Sequence, residues 1–153
     1  MGGNAGGLSW AVVARALAAT VVTWAVSYAV LAYLQDEEGA GPVQDLLRKA
    51  GREEVRVLLP VVNLGEVYYL VAREQGRQNA EEMLAVVDQL PLEVVDADRS
   101  LTIEAARLKA GHRISYADAF AAGLALGREA VLVTGDPEFR QLEGQTVSYG
   151  YLP

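Results

Sequence analysis

The sequence predicts an α/β protein whose largely parallel sheet is covered by helices on both faces. Three observations predict it. Short apolar runs of strand length alternate with amphipathic stretches of helical period along the chain, the pattern of successive βα units. One run, "AVLVTGD", is nearly all apolar, as a strand buried on both faces must be. The 153 residues, 52% hydrophobic and 22% charged, suffice for one domain with a real core.

Taken in order, "MGGNAGG" reads as a floppy lead-in, a cloning remnant or an overlong start. Leu8 to Leu34 then carries a single charge, Arg15, in a run long enough to cross a bilayer. A signal peptide is disfavoured, because no Lys or Arg precedes the apolar run. A membrane span is disfavoured by Arg15 and by how the stretch divides. "SWAVVARALAA" and "SYAVLAYLQ" are alanine-rich with helical spacing, whereas "TVVTWAV" between them is β-branched and aromatic, so helix, buried strand and helix fit. The domain is placed at 21–153, with 1–20 as an extension.

"GPVQDLLRKAG" is a helix with Pro42 in its first turn and Gly51 at its close. "VRVLLP" is a strand, and "VVNLGEVYYLVAREQG" a helix ending at Gly76. "NAEEMLAVVDQL" is expected as a helix capped by Asn79, with Glu81 and Glu82 in its first turn. "LEVVDAD" is a strand and "DRSLTIEAARLKAG" a helix closed by Gly111. "SYADAFAAGLALGRE" is a helix capped by Ser115, whose small residues suit close packing on a sheet. "AVLVTGD" and the shorter "TVSYGY" are the last strands.

Composition removes several kinds of function. No cysteine is present, so neither disulfides nor thiolate chemistry is available, and a reducing cytoplasm suits the chain. His112 is the single histidine, which makes a zinc site improbable and a helix-end surface role the better reading. A net charge of −7 opposes bulk attraction to phosphate, so a nucleic-acid substrate would have to be held locally or through cations.

In an open α/β sheet, ligands collect outside the carboxyl ends of the strands. Three acids are expected there. Glu66 lies inside an apolar helix with Val62, Tyr69 and Leu70 one turn away, an expensive place for a carboxylate unless it reaches water at the edge of that face. Asp118 is one turn into an apolar helix, where favourable interaction with the helix N-terminus explains it equally well. Asp136 follows the most apolar strand, in Gly-Asp-Pro turn chemistry. Three acids at one sheet edge suit hard divalent cations such as Mg²⁺ or Mn²⁺, which accept a few carboxylates and keep several waters. Cations so held reverse the field that a phosphodiester meets, and two of them about 4 Å apart can activate water and stabilise the leaving oxygen.

"SYAVLAYLQDEEGA", "NLGEVYYL", "ISYADAFAAGLAL" and "LVTGDPEF", in this order and spacing, resemble the PIN-domain nucleases, and among them the VapC-type toxins of toxin–antitoxin pairs. The resemblance covers roughly Val21 to Pro153. It implies a three-layer α/β/α sandwich on a short parallel sheet, Mg²⁺- or Mn²⁺-dependent endoribonuclease activity, a homodimer, and a small antitoxin that enters the active-site groove. It also implies Glu66, Asp118 and Asp136 as catalytic metal ligands, with Ser27 and Thr134 as supporting hydroxyls. Arg113 or Lys109 could meet phosphate, although solvated charge at a helix end is the plainer reading for both.

One position departs from the family pattern. The first strand of these nucleases ends in an aspartate followed by Ser or Thr, whereas here Val26 precedes Ser27. Asp36 cannot easily replace it, lying more than two helical turns further on. A selected or engineered loss of the acid, a degenerate copy that still binds RNA or antitoxin, and a shifted register are the competing explanations. The expectation is weak or absent turnover. A catalytically silent binding protein and a membrane-anchored protein are the alternatives from other classes.

Overall fold

A computed structural model describes residues 21–24, 40–134, 137–142 and 149–151. Within them the elements run β1 (Val21–Trp24), α1 (Ala40–Gly51), β2 (Arg56–Pro60), α2 (Val61–Gln75), α3 (Arg77–Val87), β3 (Glu93–Val95), α4 (Arg99–Gly111), α5 (Tyr116–Gly127), β4 (Val131–Thr134), a 3₁₀ helix (Pro137–Leu142) and β5 (Tyr149–Tyr151). The strands form one sheet in the order β3-β2-β1-β4-β5, and every pairing is parallel. Thr23 lies opposite Leu58 on one side and Leu132 on the other.

Strand alternation divides the core between two faces. Val57 and Leu59 of β2, with Val131 and Val133 of β4, join Leu46 and Leu47 of α1, Val67 and Val71 of α2, and Met83 and Val87 of α3. Leu132 points the other way, into a cluster with Ala105 and Leu108 of α4, Ala119 and Phe120 of α5, and Phe139 and Leu142 of the 3₁₀ helix. Helices therefore cover both faces, the expected α/β/α layering.

One expectation about a helix end needs correction. α3 starts at Arg77, not after Asn79, because Gly76 takes a φ of 92° and turns the chain in one residue. The Asn79 side chain instead donates back to the Gln75 carbonyl (2.7 Å). Glu81 and Glu82 consequently fall in the second turn; Glu81 accepts from Tyr68 (2.7 Å), joining α3 to α2. The small residues of α5 serve a second contact besides the expected one. A Cβ on Gly123 would meet the Ala105 backbone nitrogen at 3.3 Å, so the tight approach is to α4 as well as to the sheet. The Ser115 cap is as expected, accepting from Asp118 N–H at the start of α5, and Asp98, not foreseen as a cap, accepts from Leu101 N–H at the start of α4. No helix among the described residues is long and apolar enough to cross a membrane; the Leu8 to Leu34 stretch falls mostly outside them.

Candidate active site

The strand order fixes where a site can form. The chain lays down β1, β2 and β3 outward in one direction, then crosses back to place β4 on the other flank of β1. This reversal between β1 and β4 opens a crevice at their carboxyl ends. β1 ends at Trp24 and β4 at Thr134, two residues before Val26 and Asp136 respectively. Val26, Ser27 and Asp136 themselves lie outside the described residues, and Thr134 is the last residue of β4.

α5 brings Asp118 to that edge. Arg128 to Ala130 turn the chain directly from α5 into β4, so the helix runs back along the strand it precedes. At about 1.5 Å per residue, Asp118 stands about 14 Å from Gly127, whereas β4 spans about 10 Å. The first turn of α5 is therefore far enough from Gly127 to reach the carboxyl-end side of β4. The Asp118 backbone N–H is held by Ser115 Oγ (3.1 Å). Asp118 is the acid in the first turn of α5, the position where a helix N-terminus favours a carboxylate. The loop before α5 is fastened from the β4 side: Gln141 accepts from Arg113 N–H (2.9 Å) and donates to the Arg113 carbonyl (3.0 Å). The 3₁₀ helix that begins immediately after Asp136 is thereby tied to the loop that leads to Asp118.

α2 brings Glu66. The helix grows straight out of β2, with Pro60 as its cap residue and no side-chain capping bond. Asn63, Val67 and Val71 form its buried stripe. Glu66 sits at the margin of that stripe and is half-buried, with Val62 on the same side. Val62 packs against the cluster containing Ala119 and Phe120, the residues that follow Asp118, and α2 and α5 are in contact. Glu66 and Asp118 thus belong to two helices in contact, although α2 buries most of its stripe in the core on one face of the sheet and α5 packs in the core on the other. Tyr69 is 52% exposed, so the setting of Glu66 is wetter than the sequence suggests.

The basic candidates are committed elsewhere. Lys109 donates to the Ile114 carbonyl (2.7 Å), and exposed Arg113 is fixed through its backbone. His112 places Nδ1 2.9 Å from the Leu108 carbonyl, which closes the end of α4 and accounts for the residue structurally.

Sequence reasoning missed Asn63. It is fully buried, and neither its Nδ2 nor its Oδ1 has a hydrogen-bond partner. The signal was available: Asn63, Val67 and Val71 recur at fourfold spacing, so the pattern that marks the buried stripe of α2 includes an amide, three residues before Glu66.

The described residues satisfy part of what a hard cation requires. Glu66 and Asp118 are oxygen donors, and Asn63 is an orphaned polar group one turn from Glu66, which suits a site completed by a hydrated cation. No group of three or more His, Cys, Asp or Glu side chains able to hold a metal is found among the described residues. A groove of about 380 Å³ between α4 and α5, lined by Asp98, Glu104, Gly123 and Arg128, contains neither Glu66 nor Asp118. The Asp98 carboxylate there is already used as a helix cap.

The family sequence model described as "PIN domain" matches residues 27–145. The chain belongs to the PIN-domain family. Solved structures similar to this PIN domain include VapBC2 from Rickettsia felis bound to a promoter DNA fragment, with a TM-score of 0.68 at 16% identity, covering 87% of this chain and 99% of that one. DNA-bound VapBC from Salmonella typhimurium gives 0.67 at 18% identity, covering 88% and 99%. VapC20 from Mycobacterium tuberculosis, a Sarcin-Ricin loop cleaving toxin, gives 0.54 at 17% identity, covering 72% and 85%. No curated protein sequence matches the chain significantly. The fold is therefore that of the VapC-type PIN domains, in a family of nucleases.

Proposed function

We propose that this PIN domain is the toxin of a toxin–antitoxin pair, an endoribonuclease dependent on Mg²⁺ or Mn²⁺ whose turnover in this chain is held low by Val26. The observation that supports the reading is the contact between α2 and α5, the helices that carry Glu66 and Asp118, in a sheet whose strand order reverses between β1 and β4. Glu66, Asp118 and Asp136 are the proposed cation ligands, with Ser27 and Thr134 supporting them. RNA is the substrate, and a homodimer with a small antitoxin, in the cytoplasm, completes the assembly. The similar structures support the antitoxin, because several are toxin–antitoxin complexes.

A bound divalent cation supplies Lewis-acid stabilisation of the phosphodiester and a more acidic water. This chain's residues supply the oxygen donors that retain the cation. Asp118 does so from a helix N-terminus whose dipole favours the ionised carboxylate. With valine where the family has an acid, one charge and one donor are missing, so cation affinity falls and the water is less well placed.

The test is RNA cleavage by this chain and by its Val26→Asp form, with Mg²⁺ or Mn²⁺ and with EDTA. The expected result is little or no cleavage by the first and a rise of at least about 100-fold in the second, abolished by EDTA. Equal, strong activity from both would refute the impairment. Val26 itself favours a second reading, a silent PIN domain that binds RNA or antitoxin without cutting. Under that reading the Val26→Asp chain stays inactive.

A further inference from the structure

We propose that Asn63 is a positioning residue of the acid site, its side-chain amide held for a hydrated cation and for the Glu66 carboxylate beside it. The inference rests on the nuclease reading and adds to it a residue outside the proposed set of cation ligands.

The argument begins with cost. Asn63 is 0% exposed, and both polar atoms of its side chain lack a hydrogen-bond partner. A buried amide left so costs about 1–3 kcal/mol, and the remedy is simple, because leucine has a similar shape and would suit the Asn63, Val67, Val71 stripe. A polar group kept at this cost in an apolar stripe marks a place where something polar binds.

Position identifies the occupant. Asn63 lies in the first turn of α2, immediately beyond the carboxyl end of β2, and β2 is paired with β1 at the switch point. On the helix surface, residues three apart are neighbours, which puts Asn63 beside Glu66. Val62, the residue before it, packs on the α5 side, and Val67, four residues on, packs in the opposite cluster. Asn63 thus stands where the two cores meet, one turn from Glu66. An asparagine amide offers two donors and one acceptor. Nδ2–H matches a carboxylate oxygen of Glu66, and Oδ1 matches a proton of cation-bound water. Groups that orient metal ligands in this way typically govern affinity by about 10–100-fold.

Mn²⁺ titration by calorimetry, on the full chain and on its Val26→Asp form, tests the role. Asn63→Leu should leave the cation-free Tm unchanged or raised, and should weaken Mn²⁺ binding about 10-fold or more in whichever background binds. A merely structural amide predicts the reverse, a lowered cation-free Tm and unchanged Mn²⁺ affinity, and that result overturns the proposal. Glu66→Gln separates the two levels of the argument. If it weakens Mn²⁺ binding while Asn63→Leu does not, the acid site stands and the role of Asn63 falls. If neither background shows Glu66-dependent Mn²⁺ binding, both fall. Should Asn63→Leu fail to fold, Asn63→Ala answers in its place, and unchanged Mn²⁺ affinity there overturns the role equally.

Discussion

The two helices that carry the described acids begin in opposite ways. α5 starts from a finished local structure: Ser115 caps it, Asp118 completes the first turn, and Gln141 clamps the loop in front. α2 starts without a side-chain cap, directly from a strand, and buries an unpartnered amide in its first turn. The difference shows how a site can be assembled from unequal parts. Asp118 is held by its own fold whether or not a ligand is present, whereas the start of α2 has polar capacity that the protein alone leaves unused. The α5 side supplies rigidity, and the α2 side supplies the need for an occupant.

The largest effects should come from the acids. In the Val26→Asp chain, Glu66→Ala and Asp118→Ala should each lower RNA cleavage by about 100-fold or more. Asp118→Ala should also lower the unfolding free energy by about 0.5–1 kcal/mol, because it removes a carboxylate from a helix N-terminus. Cleavage rates and urea denaturation read the two consequences separately. If Asp118→Ala destabilised the fold yet left cleavage intact, Asp118 would be a structural residue only, and the comparison would lose its functional half.

A second break concerns rigidity on the α5 side. Gly123 faces the backbone of α4, where an added Cβ meets Ala105 N at 3.3 Å. Gly123→Val should cost about 2 kcal/mol by overpacking, measured by urea denaturation. The equivalent change at Gly65 of α2, where a Cβ meets nothing within 4 Å, should cost much less. Equal losses at the two positions would mean that the α4–α5 contact is not especially tight.

These residues also indicate what was legible in the sequence. Elements were readable wherever burial imposes a period: β2 and β4 as apolar runs, α4 as a helix closed by Gly111, and α5 as a helix capped by Ser115. The start of α3 was not, because Asn79 and Gly76 are both plausible boundary residues and only the φ of Gly76 decides between them. The Gln141 clamp could not have been read, since it joins residues 28 apart through an exposed side chain. Glu66 and Asp118 were recognisable as acids in apolar helices. Asn63 was passed over because an uncharged amide costs less to bury than a carboxylate and stands out less.

A smaller effect tests the clamp and cap. Ser115→Ala should cost about 1 kcal/mol through loss of the acceptor for Asp118 N–H. Gln141→Ala should cost about the same, through loss of bonds that are exposed to water. The two should be partly non-additive, since both fix the same entry to α5. Strict additivity in the double variant would mean that loop and cap hold Asp118 independently.

The smallest effect lies on the α2 side, at its junction with α3. The Tyr68 hydroxyl donates to the Glu81 carboxylate (2.7 Å), and this bond raises the tyrosine pKa above its usual value. A pKa higher in the folded chain than in the unfolded one gives stability that is complete below the unfolded value of about 10. That stability is lost as the pH rises through the folded value, where the phenolate and Glu81 repel. The Tm difference between this chain and Tyr68→Phe should therefore be constant near neutral pH and shrink above about pH 10. A difference that holds steady through that range would place the value of Tyr68 in its packing against the core, and would leave α2 joined to α3 by apolar contact alone.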